Sequence, residues 1–459
     1  MWGNIFKYEN ELTVSGLNNS LINEYIVNYY EKYNKNVLVV AESLYDANNI
    51  YKGIQKRNKN VCLFPMDEFA TVLAISASPD LRVARIDTLN KISNYKHIVI
   101  TNLSGFLKKI DKDIKKLKVN FNTKRNEIIK FLGDNSYVKT NLVTTTGEYA
   151  VRNFIIDVFP IESDMGIRIE FFGDDIDSIR YFDVESQISN KNIDGFTLYS
   201  FSDEASDNHE NIIDKLDDVQ VFFVDYKKIL NSYQSYVDNK EEFNIGDNYF
   251  SSFNNMIIDN KIYINSFDDS PICKDVVKYK SKDVINFNNN YEDLCDYVNK
   301  MKSEYIIIFM MTNENLINKI ISLFGNDISF EGEYENRVNI IKQDIDSGFV
   351  FDKYIVISEY DIENVKKKSV FINHYNIGRK IKGFDDLKKG DYIVHVVHGI
   401  GQYQGLVTLE NNGIKKDYLL INYVGNDKIY VPASKIETIY KYSDSDTTSP
   451  KLNSLNSNN

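Results

Sequence analysis

Residues 147–160, GEYAVRNFIIDVFP, and residues 167–180, IRIEFFGDDIDSIR, decide the fold of the middle of this chain. Apolar and polar residues alternate along both stretches, which is typical of β-strands that bury one face. Gly or acidic residues separate the strands, as in tight turns. The predicted strands are Val138–Val143, Glu148–Val151, Ile155–Phe159, Ile167–Phe172 and Asp177–Asp183. We therefore expect a β-rich domain over residues 131–205.

The sequence on both sides of this domain predicts alternating strands and helices. Before it we expect strands at Glu11–Ser15, Val37–Ala41, Val61–Phe64 and His97–Thr101, and helices at Ser20–Tyr33 and Leu44–Ile54. After it we expect strands at Val219–Val224 and Lys261–Ile264. A continuous apolar run such as VLVVA at residues 37–41 is typical of a buried parallel strand. Residues 1–130 and 206–283 are thus predicted to form α/β structure around an inserted β-rich domain.

The last third of the chain predicts two further domains. Residues 284–370 form a small α/β unit, with helices at Tyr291–Met301 and Glu314–Phe324 and strands at Tyr305–Met310 and Lys353–Ser358. Residues 371–387 are a linker. In residues 388–440 we expect strands at Tyr392–Val397, Gln402–Leu409, Tyr418–Tyr423 and Lys428–Val431. Asn and Gly between the strands indicate hairpins, so we expect a small β barrel. Residues 441–459 are expected to be disordered because they are rich in Ser, Asp and Asn.

Composition narrows the possible functions. At about 100–200 residues per domain, 459 residues suggest three or four domains. The formal net charge of -12 favours protein partners over a long DNA footprint, which needs a basic surface. The 3 cysteines show no CxxC spacing, so we expect no disulfide framework and no metal site. No apolar run approaches about 18 residues, and no signal peptide opens the chain. We expect a cytoplasmic protein without a membrane partner.

Residues 15–20, SGLNNS, lie between a predicted strand and a predicted helix, where a P-loop would lie. A working P-loop needs several backbone N–H groups around the phosphates, a Lys that reaches them, and a Ser or Thr for Mg²⁺. This stretch has a single glycine, Gly16, and the next lysine is Lys32. We interpret Gly16, Asn18, Asn19 and Ser20 as a degenerate P-loop that does not bind nucleotide. The chain is accordingly expected to have no cofactor, no catalytic residue and no enzymatic activity of its own.

The stretches quoted at 147–160 and 167–180 closely resemble the UvrA-binding domain shared by the excision-repair helicase subunit UvrB and the coupling factors. Residues 64–68, 76–80 and 82–89 also resemble UvrB and its relatives. The resemblance implies that Arg152 and Arg168 present their guanidinium groups to carboxylates of UvrA and that an exposed Phe172 is an apolar anchor. Spacing alone favours a salt-bridged surface with a core phenylalanine. Asn153 stands where the family usually has Gly, and Asn tolerates a positive φ next best.

Residues 390–403, GDYIVHVVHGIGQY, and 428–432, KIYVP, resemble the RNA-polymerase-interacting domain of CarD-type regulators and coupling factors. The resemblance implies that Leu409 contacts the β subunit of RNA polymerase. His395 and His398 are expected to be structural, since a lone His in a strand usually supports its neighbours through hydrogen bonds.

The order of these modules resembles bacterial transcription-repair coupling factors over essentially all 459 residues. It implies a degenerate UvrB/RecA-like parallel α/β domain, divided into parts 1a (1–130) and 1b (206–283), and a Tudor-like barrel at 388–440. The implied function is transcription-coupled nucleotide excision repair, in which the chain binds stalled RNA polymerase and recruits UvrA. The full-length family is an ATP-dependent translocase, so the resemblance assigns ATP, Mg²⁺ and most DNA contacts to motor domains missing from this sequence.

Two other functions stay open from the sequence. The chain could be a stand-alone CarD-like transcription regulator with a vestigial UvrB-like N-terminus. It could also be an active UvrB-like helicase, but the missing P-loop lysine argues against this.

Overall fold

The structure is a computed structural model that describes most of the chain. The described residues are 5–66, 79–93, 95–112, 115–161, 163–184, 186–201, 209–238, 250–266, 270–325, 328–330, 337–363, 379–380, 387–395, 399–411, 414–423, 428–432 and 439–441. The predicted tail beyond residue 441, most of the predicted linker, and the UvrB-like residues 67–78 lie outside this set. Two compact units are distinguished by Cα proximity: residues 1–112 with 203–370, and residues 113–202 with 371–459.

The chain begins with alternating strands and helices, as predicted. They are β1 (Glu11–Ser15), α1 (Asn19–Tyr33), β2 (Asn36–Ala41), α2 (Leu44–Arg57), β3 (Val61–Phe64), α3 (Pro79–Ile92), β4 (Ile98–Asn102), α4 (Leu103–Leu107) and β5 (Ile110–Asp111). All six residues of β2 are buried, which explains the continuous apolar run at residues 37–41. Helix α1 begins after Asn18, whose side chain accepts a hydrogen bond from the N–H of Leu21 and so caps the helix.

Residues 115–201 form a mainly antiparallel β structure. Its elements are β6 (Lys116–Asn120), α5 (Arg125–Asp134), β7 (Val138–Lys139), β8 (Glu148–Arg152), β9 (Ile155–Val158), β10 (Gly166–Phe172), β11 (Asp175–Phe182), β12 (Ser189–Asn192) and β13 (Gly195–Tyr199). Six strands form one sheet in the order β12-β11-β10-β9-β8-β7, and β6 pairs with β13. The predicted start of the β-rich domain, residue 131, lies inside α5. The predicted strand Val138–Val143 is limited to the two residues of β7.

The chain then returns to the first α/β structure. The elements are β14 (His209–Glu210), β15 (Val219–Val224), α6 (Tyr226–Asp238), β16 (Lys261–Asn265) and β17 (Val276–Lys278). A seven-stranded sheet has the order β17-β1-β16-β15-β2-β4-β3, and all its pairings are parallel. Its strands come from both sides of residues 115–201, so this segment is inserted between β4 and β15 of a single sheet.

A second, smaller α/β sheet follows. Its elements are β18 (Ser281–Asp283), α7 (Tyr291–Met301), β19 (Ile306–Met310), α8 (Glu314–Phe324), β20 (Ile328–Phe330), β21 (Val338–Ile341), β22 (Phe349–Phe351), β23 (Tyr354–Ser358) and α9 (Glu359–Ile362). The strand order is β18-β22-β23-β19-β21-β20. Met310, Phe349 and Phe351 of this sheet share a buried cluster with Phe6 and Tyr25. The two α/β sheets therefore share part of one hydrophobic core.

The last described residues form an antiparallel sheet. Its strands are β24 (Arg379–Lys380), β25 (Tyr392–His395), β26 (Gly399–Asn411), β27 (Ile414–Asn422), β28 (Lys428–Pro432) and β29 (Ile439–Lys441). Their order is β24-β29-β25-β26-β27-β28. The buried side chains are Leu387, Ile393, Tyr403, Leu419, Ile421 and Tyr423. The antiparallel pairing of β26 with β27 and of β27 with β28 confirms the two predicted hairpins, whose connections at 412–413 and 424–427 lie outside the described residues.

Candidate functional site

The predicted UvrA-contact residues lie on one face of the six-stranded sheet. Along β10 the even-numbered Arg168 and Glu170 are partly exposed, whereas Ile167, Ile169 and Phe171 are buried. This confirms the predicted alternation. Cross-strand partners share a face, and Arg168 lies opposite Asp157 of β9 while Glu170 lies opposite Ile155. Strand β8 pairs with the other edge of β9, where Arg152 lies opposite Ile155. Arg152, Arg168 and Phe172 thus belong to one surface, which we call the polar sheet face.

Asp157 organises the two arginines of this face. Its carboxylate is buried, and its Oδ1 and Oδ2 accept hydrogen bonds from Nε and Nη2 of Arg168 at 2.7 and 3.0 Å. These hydrogen bonds raise the pKa of the Arg168 guanidinium. Arg152 lies farther away, with its Nη1 3.9 Å from Asp157 Oδ2. Sequence reasoning missed Asp157, although its position two residues after Ile155 already places it on this face.

Arg168 is held inside the protein. Its side chain is only 15% exposed, and its guanidinium lies 4.8 Å from the ring centroid of Phe182. Nη1 also donates to the Gln187 carbonyl and to Ser189 Oγ, each at 3.3 Å. The family resemblance implies that Arg152 and Arg168 both present their guanidinium groups to carboxylates of UvrA. In this structure Nε and Nη2 of Arg168 already donate to Asp157.

Arg152 and Phe172 are the accessible members of the set. The Arg152 side chain is 46% exposed, and its Nη2 donates to the Asn141 carbonyl at 2.9 Å. Arg152 also borders a small cavity of about 270 Å³ beside Lys139 and Thr140. Phe172 is 85% exposed, so the predicted exposure is confirmed and the core alternative is wrong. The turn between β8 and β9 forms without a positive φ at Asn153.

The β1–α1 turn, which the sequence analysis interprets as a degenerate P-loop, is contacted by the start of the second α/β sheet. Gly16 has φ +78°, and a Cβ atom at this residue would overlap the carbonyl oxygen of Tyr279. The Gly16 carbonyl accepts hydrogen bonds from the N–H of Ser281 at 3.2 Å and from its hydroxyl at 2.8 Å. The N–H of Asn18 donates to the same hydroxyl at 3.0 Å. The N–H of Asn18, one of the backbone donors that a phosphate would approach, is thus already bonded to protein.

Further contacts strengthen this joint between the β1–α1 turn and the second sheet. Asn18 Nδ2 donates to Asp283 Oδ1 at 2.8 Å, and Ser20 Oγ lies 2.9 Å from Ser347 Oγ. Asn19, the first residue of α1, is exposed. On α2, Lys56 Nζ pairs with Asp344 and Asp346 at 2.8 and 3.0 Å.

Leu409, the predicted polymerase contact, lies near the end of β26. Its backbone is paired with Lys416 of β27 in the long hairpin. Its side chain, like that of His395, lies outside the described set, as does all of His398.

Within the described part of the chain, no three His, Cys, Asp or Glu side chains come together as metal ligands would. Every helix in that part is too short or too polar to cross a membrane.

Comparison with known proteins assigns two of these segments. Residues 116–203 match the UvrB interaction domain, and residues 387–443 match the CarD-like/TRCF RID domain. The transcription-repair-coupling factor of Bacillus subtilis (strain 168) is 24% identical over 97% of this chain and 46% of its own length. The corresponding factor of Staphylococcus haemolyticus is 25% identical over 98% of this chain and 46% of its own length. The chain is similar to the transcription-repair-coupling factors over almost its whole length.

The chain spans about half the length of the curated relatives it matches. The polar sheet face lies within its UvrB interaction domain, and the β26–β27 hairpin lies within its CarD-like domain. The joint at the β1–α1 turn lies outside both matched domains.

Proposed function

We propose that this chain is an adaptor in transcription-coupled nucleotide excision repair. It binds RNA polymerase through residues 387–443 and UvrA through residues 116–203. The observation that carries the proposal is the presence of two different interaction domains on one chain. A stand-alone CarD-like regulator would need only the second domain, whereas the relatives match the chain over 97% of its length. The adaptor is therefore the better-supported function.

On the UvrA side, we assign Arg152 and Phe172 to direct contact and Arg168 to the support of Arg152. Exposure supports this division, since Arg168 is 15% exposed and Arg152 is 46% exposed. Because Arg168 takes up both oxygens of Asp157, Arg152 keeps part of its guanidinium free for an external carboxylate. The matching surface on UvrA would have an apolar pocket for Phe172 with a carboxylate beside it.

On the polymerase side, we propose that residues 388–440 form a Tudor-like barrel that binds the β subunit. The strand order places β24 and β28 at the ends of the described sheet. An end strand carries backbone groups that a strand of a partner can pair with. Leu409, on the neighbouring hairpin, would add an apolar contact to those hydrogen bonds.

We also propose that the residues of this chain do not use ATP. The hydrogen bond from the Asn18 N–H to Ser281 supports this, because it occupies one of the backbone donors that a P-loop offers to phosphate. We assign the ATP, Mg²⁺ and main DNA contacts implied by the family to the part of the relatives that this chain does not match. The parallel sheet would then be a degenerate UvrB/RecA-like domain with a structural role.

A reconstituted complex tests the adaptor function. RNA polymerase stalled on DNA is immobilised, the chain is added, and UvrA retained on the beads is measured. We expect UvrA to be retained only when the chain is present. Arg152→Ala should lose UvrA but keep the chain on the polymerase, and Leu409→Arg should lose both. Retention of the chain without any UvrA would leave only the polymerase-binding function.

A further inference from the structure

A second exposed aromatic side chain lies at the same end of the sheet as Phe172. Phe154 lies in the turn between β8 and β9 and is 65% exposed. Its carbonyl accepts a hydrogen bond from the N–H of Phe171 at 2.8 Å. Phe154 is therefore a backbone neighbour of the residue that precedes Phe172, and the two exposed rings belong to the same end of the sheet. We call Phe154 and Phe172 the aromatic tip.

The β8–β9 and β10–β11 turns, which lie next to the aromatic tip, both form hydrogen bonds with Arg125. Arg125, the first residue of α5, donates from Nη2 to the Asn153 carbonyl at 3.0 Å. Its backbone N–H donates to the Asp174 carbonyl at 3.4 Å in the turn between β10 and β11. That second turn is tight, with φ +63° at Gly173. Because both turns are tied to Arg125, the tip loses little conformational entropy when a partner orders it.

Two large exposed aromatic side chains at one end of a sheet are costly in water unless a partner covers them. Charged groups flank the tip, since Arg152 ends β8 directly before the first turn and Lys124 pairs with Asp175 after the second. An apolar centre with a charged rim is the usual arrangement of a protein-binding hot spot.

We infer that Phe154 is a second apolar anchor for UvrA, so that the aromatic tip enters an apolar pocket of UvrA as a pair. This inference rests on the proposed UvrA-binding function and extends it by one contact residue. The pocket must be wide enough for two rings and must offer a carboxylate to Arg152. Burying a second phenylalanine raises the affinity through the apolar area removed from water.

The test is the affinity of purified UvrA for the full chain and its variants. We expect Phe154→Ala to raise the dissociation constant for UvrA about tenfold, as truncation of a hot-spot aromatic residue does. Phe154→Leu should restore most of the affinity because it keeps the apolar bulk. Ile188→Ala is the matched control: Ile188 is 67% exposed but lies next to Ser189, opposite Phe182, at the other end of the same sheet. It should bind as the unmodified chain does.

Three results would overturn the inference, and they are distinguishable. If Arg152→Ala weakens binding and Phe154→Ala does not, the UvrA site stands and Phe154 is not part of it. If the unmodified chain shows no affinity for UvrA, the proposed function and this inference fall together. If Phe154→Ala abolishes a dimer seen by light scattering and leaves UvrA affinity unchanged, the tip serves self-association. Circular dichroism of each variant verifies the fold.

Discussion

Asp157 and its two arginines illustrate how residues of one type can differ in role within a single site. Arg168 donates hydrogen bonds to the carboxylate of Asp157 and its guanidinium packs on the Phe182 ring. The nearest guanidinium nitrogen of Arg152 lies 3.9 Å from the same carboxylate. A buried carboxylate without its hydrogen-bond donors is strongly destabilised, whereas an exposed ion pair contributes little. Stability should therefore depend mainly on Arg168, and partner binding should depend more directly on Arg152.

The two arginine variants should separate these roles. Arg168→Ala leaves Asp157 buried without its main donors, so the local free energy of unfolding should fall by about 3–5 kcal/mol. Arg152→Ala should reduce it by less than about 1 kcal/mol and still weaken UvrA binding by more than tenfold. Hydrogen exchange of the strand amides in residues 148–182 measures the local stability in the full chain. Equal exchange in both variants would contradict the division of roles.

At the scale of elements, the β1–α1 turn and the start of the second sheet form a joint. Ser281 bonds to Gly16 and Asn18, and Asp283 bonds to the side chain of Asn18. Helix α1 therefore begins against protein atoms rather than against an open anion site. The turn that a P-loop uses for phosphate holds the second sheet in this chain.

Gly16→Ala should loosen this joint. The positive φ of Gly16 and the nearby Tyr279 carbonyl both oppose a Cβ atom. We therefore expect the free energy of unfolding to fall by about 1–3 kcal/mol. Gly133→Ala is the control, because the residue lies in α5 with free space around it and alanine favours helices. We expect the amides of β1 and β17 to exchange faster in Gly16→Ala but not in Gly133→Ala. Identical exchange in the two variants would show that the turn tolerates a side chain.

The prediction for polymerase binding concerns Leu409 in the β26–β27 hairpin. Replacing Leu409 with Arg should abolish binding of the polymerase β subunit, because a charge would enter an apolar contact worth about 1.5–3 kcal/mol. The control variant is Leu406→Arg. Leu406 is 46% exposed and lies three residues before Leu409 on the same strand, so its side chain belongs to the opposite face. We expect the Leu406→Arg chain to bind the β subunit as the unmodified chain does. Melting curves show whether either variant unfolds, and a folded Leu409→Arg chain with full polymerase affinity would refute the assignment.

The whole molecule combines two α/β sheets, an inserted β domain and an antiparallel C-terminal sheet. The chain leaves the parallel sheet after β4, forms the inserted domain and returns to the same sheet at β15. The formal net charge of -12 agrees with protein partners rather than a long DNA contact. In this arrangement each proposed partner has its own domain.

The full chain should neither bind nor hydrolyse ATP at physiological concentrations. The physical reason is that the turn lacks a lysine for the phosphate charge and that the N–H of Asn18 already donates to Ser281. Isothermal calorimetry with Mg-ATP should show no binding heat, and phosphate release should equal the buffer blank. Micromolar binding that disappears on changing Asn18 or Asn19 would disprove the prediction.

Local sequence determined most of the elements. Val219–Val224, Tyr291–Met301 and Glu314–Phe324 were predicted with the bounds that the structure has. Apolar periodicity and Asn caps act within a few residues, so they can be recognised along the chain. The same alternation also placed Arg168 and Glu170 on one face of their strand and Ile167, Ile169 and Phe171 on the other, whereas the exposure of Phe172 was implied only by the family resemblance.

Tertiary structure alone decided what these elements meet. Strand β1 pairs with β16, about 250 residues later in the chain, and Gly16 packs against Tyr279. The hydrogen bonds of Arg168 to Asp157 and the joining of two turns by Arg125 likewise arise only when separate strands and a helix come together. Such contacts leave no periodic signal, because they depend on strand order and register rather than on neighbouring residues. The sequence by itself therefore determined which side chains are presented, and the fold decided which remain free to bind a partner.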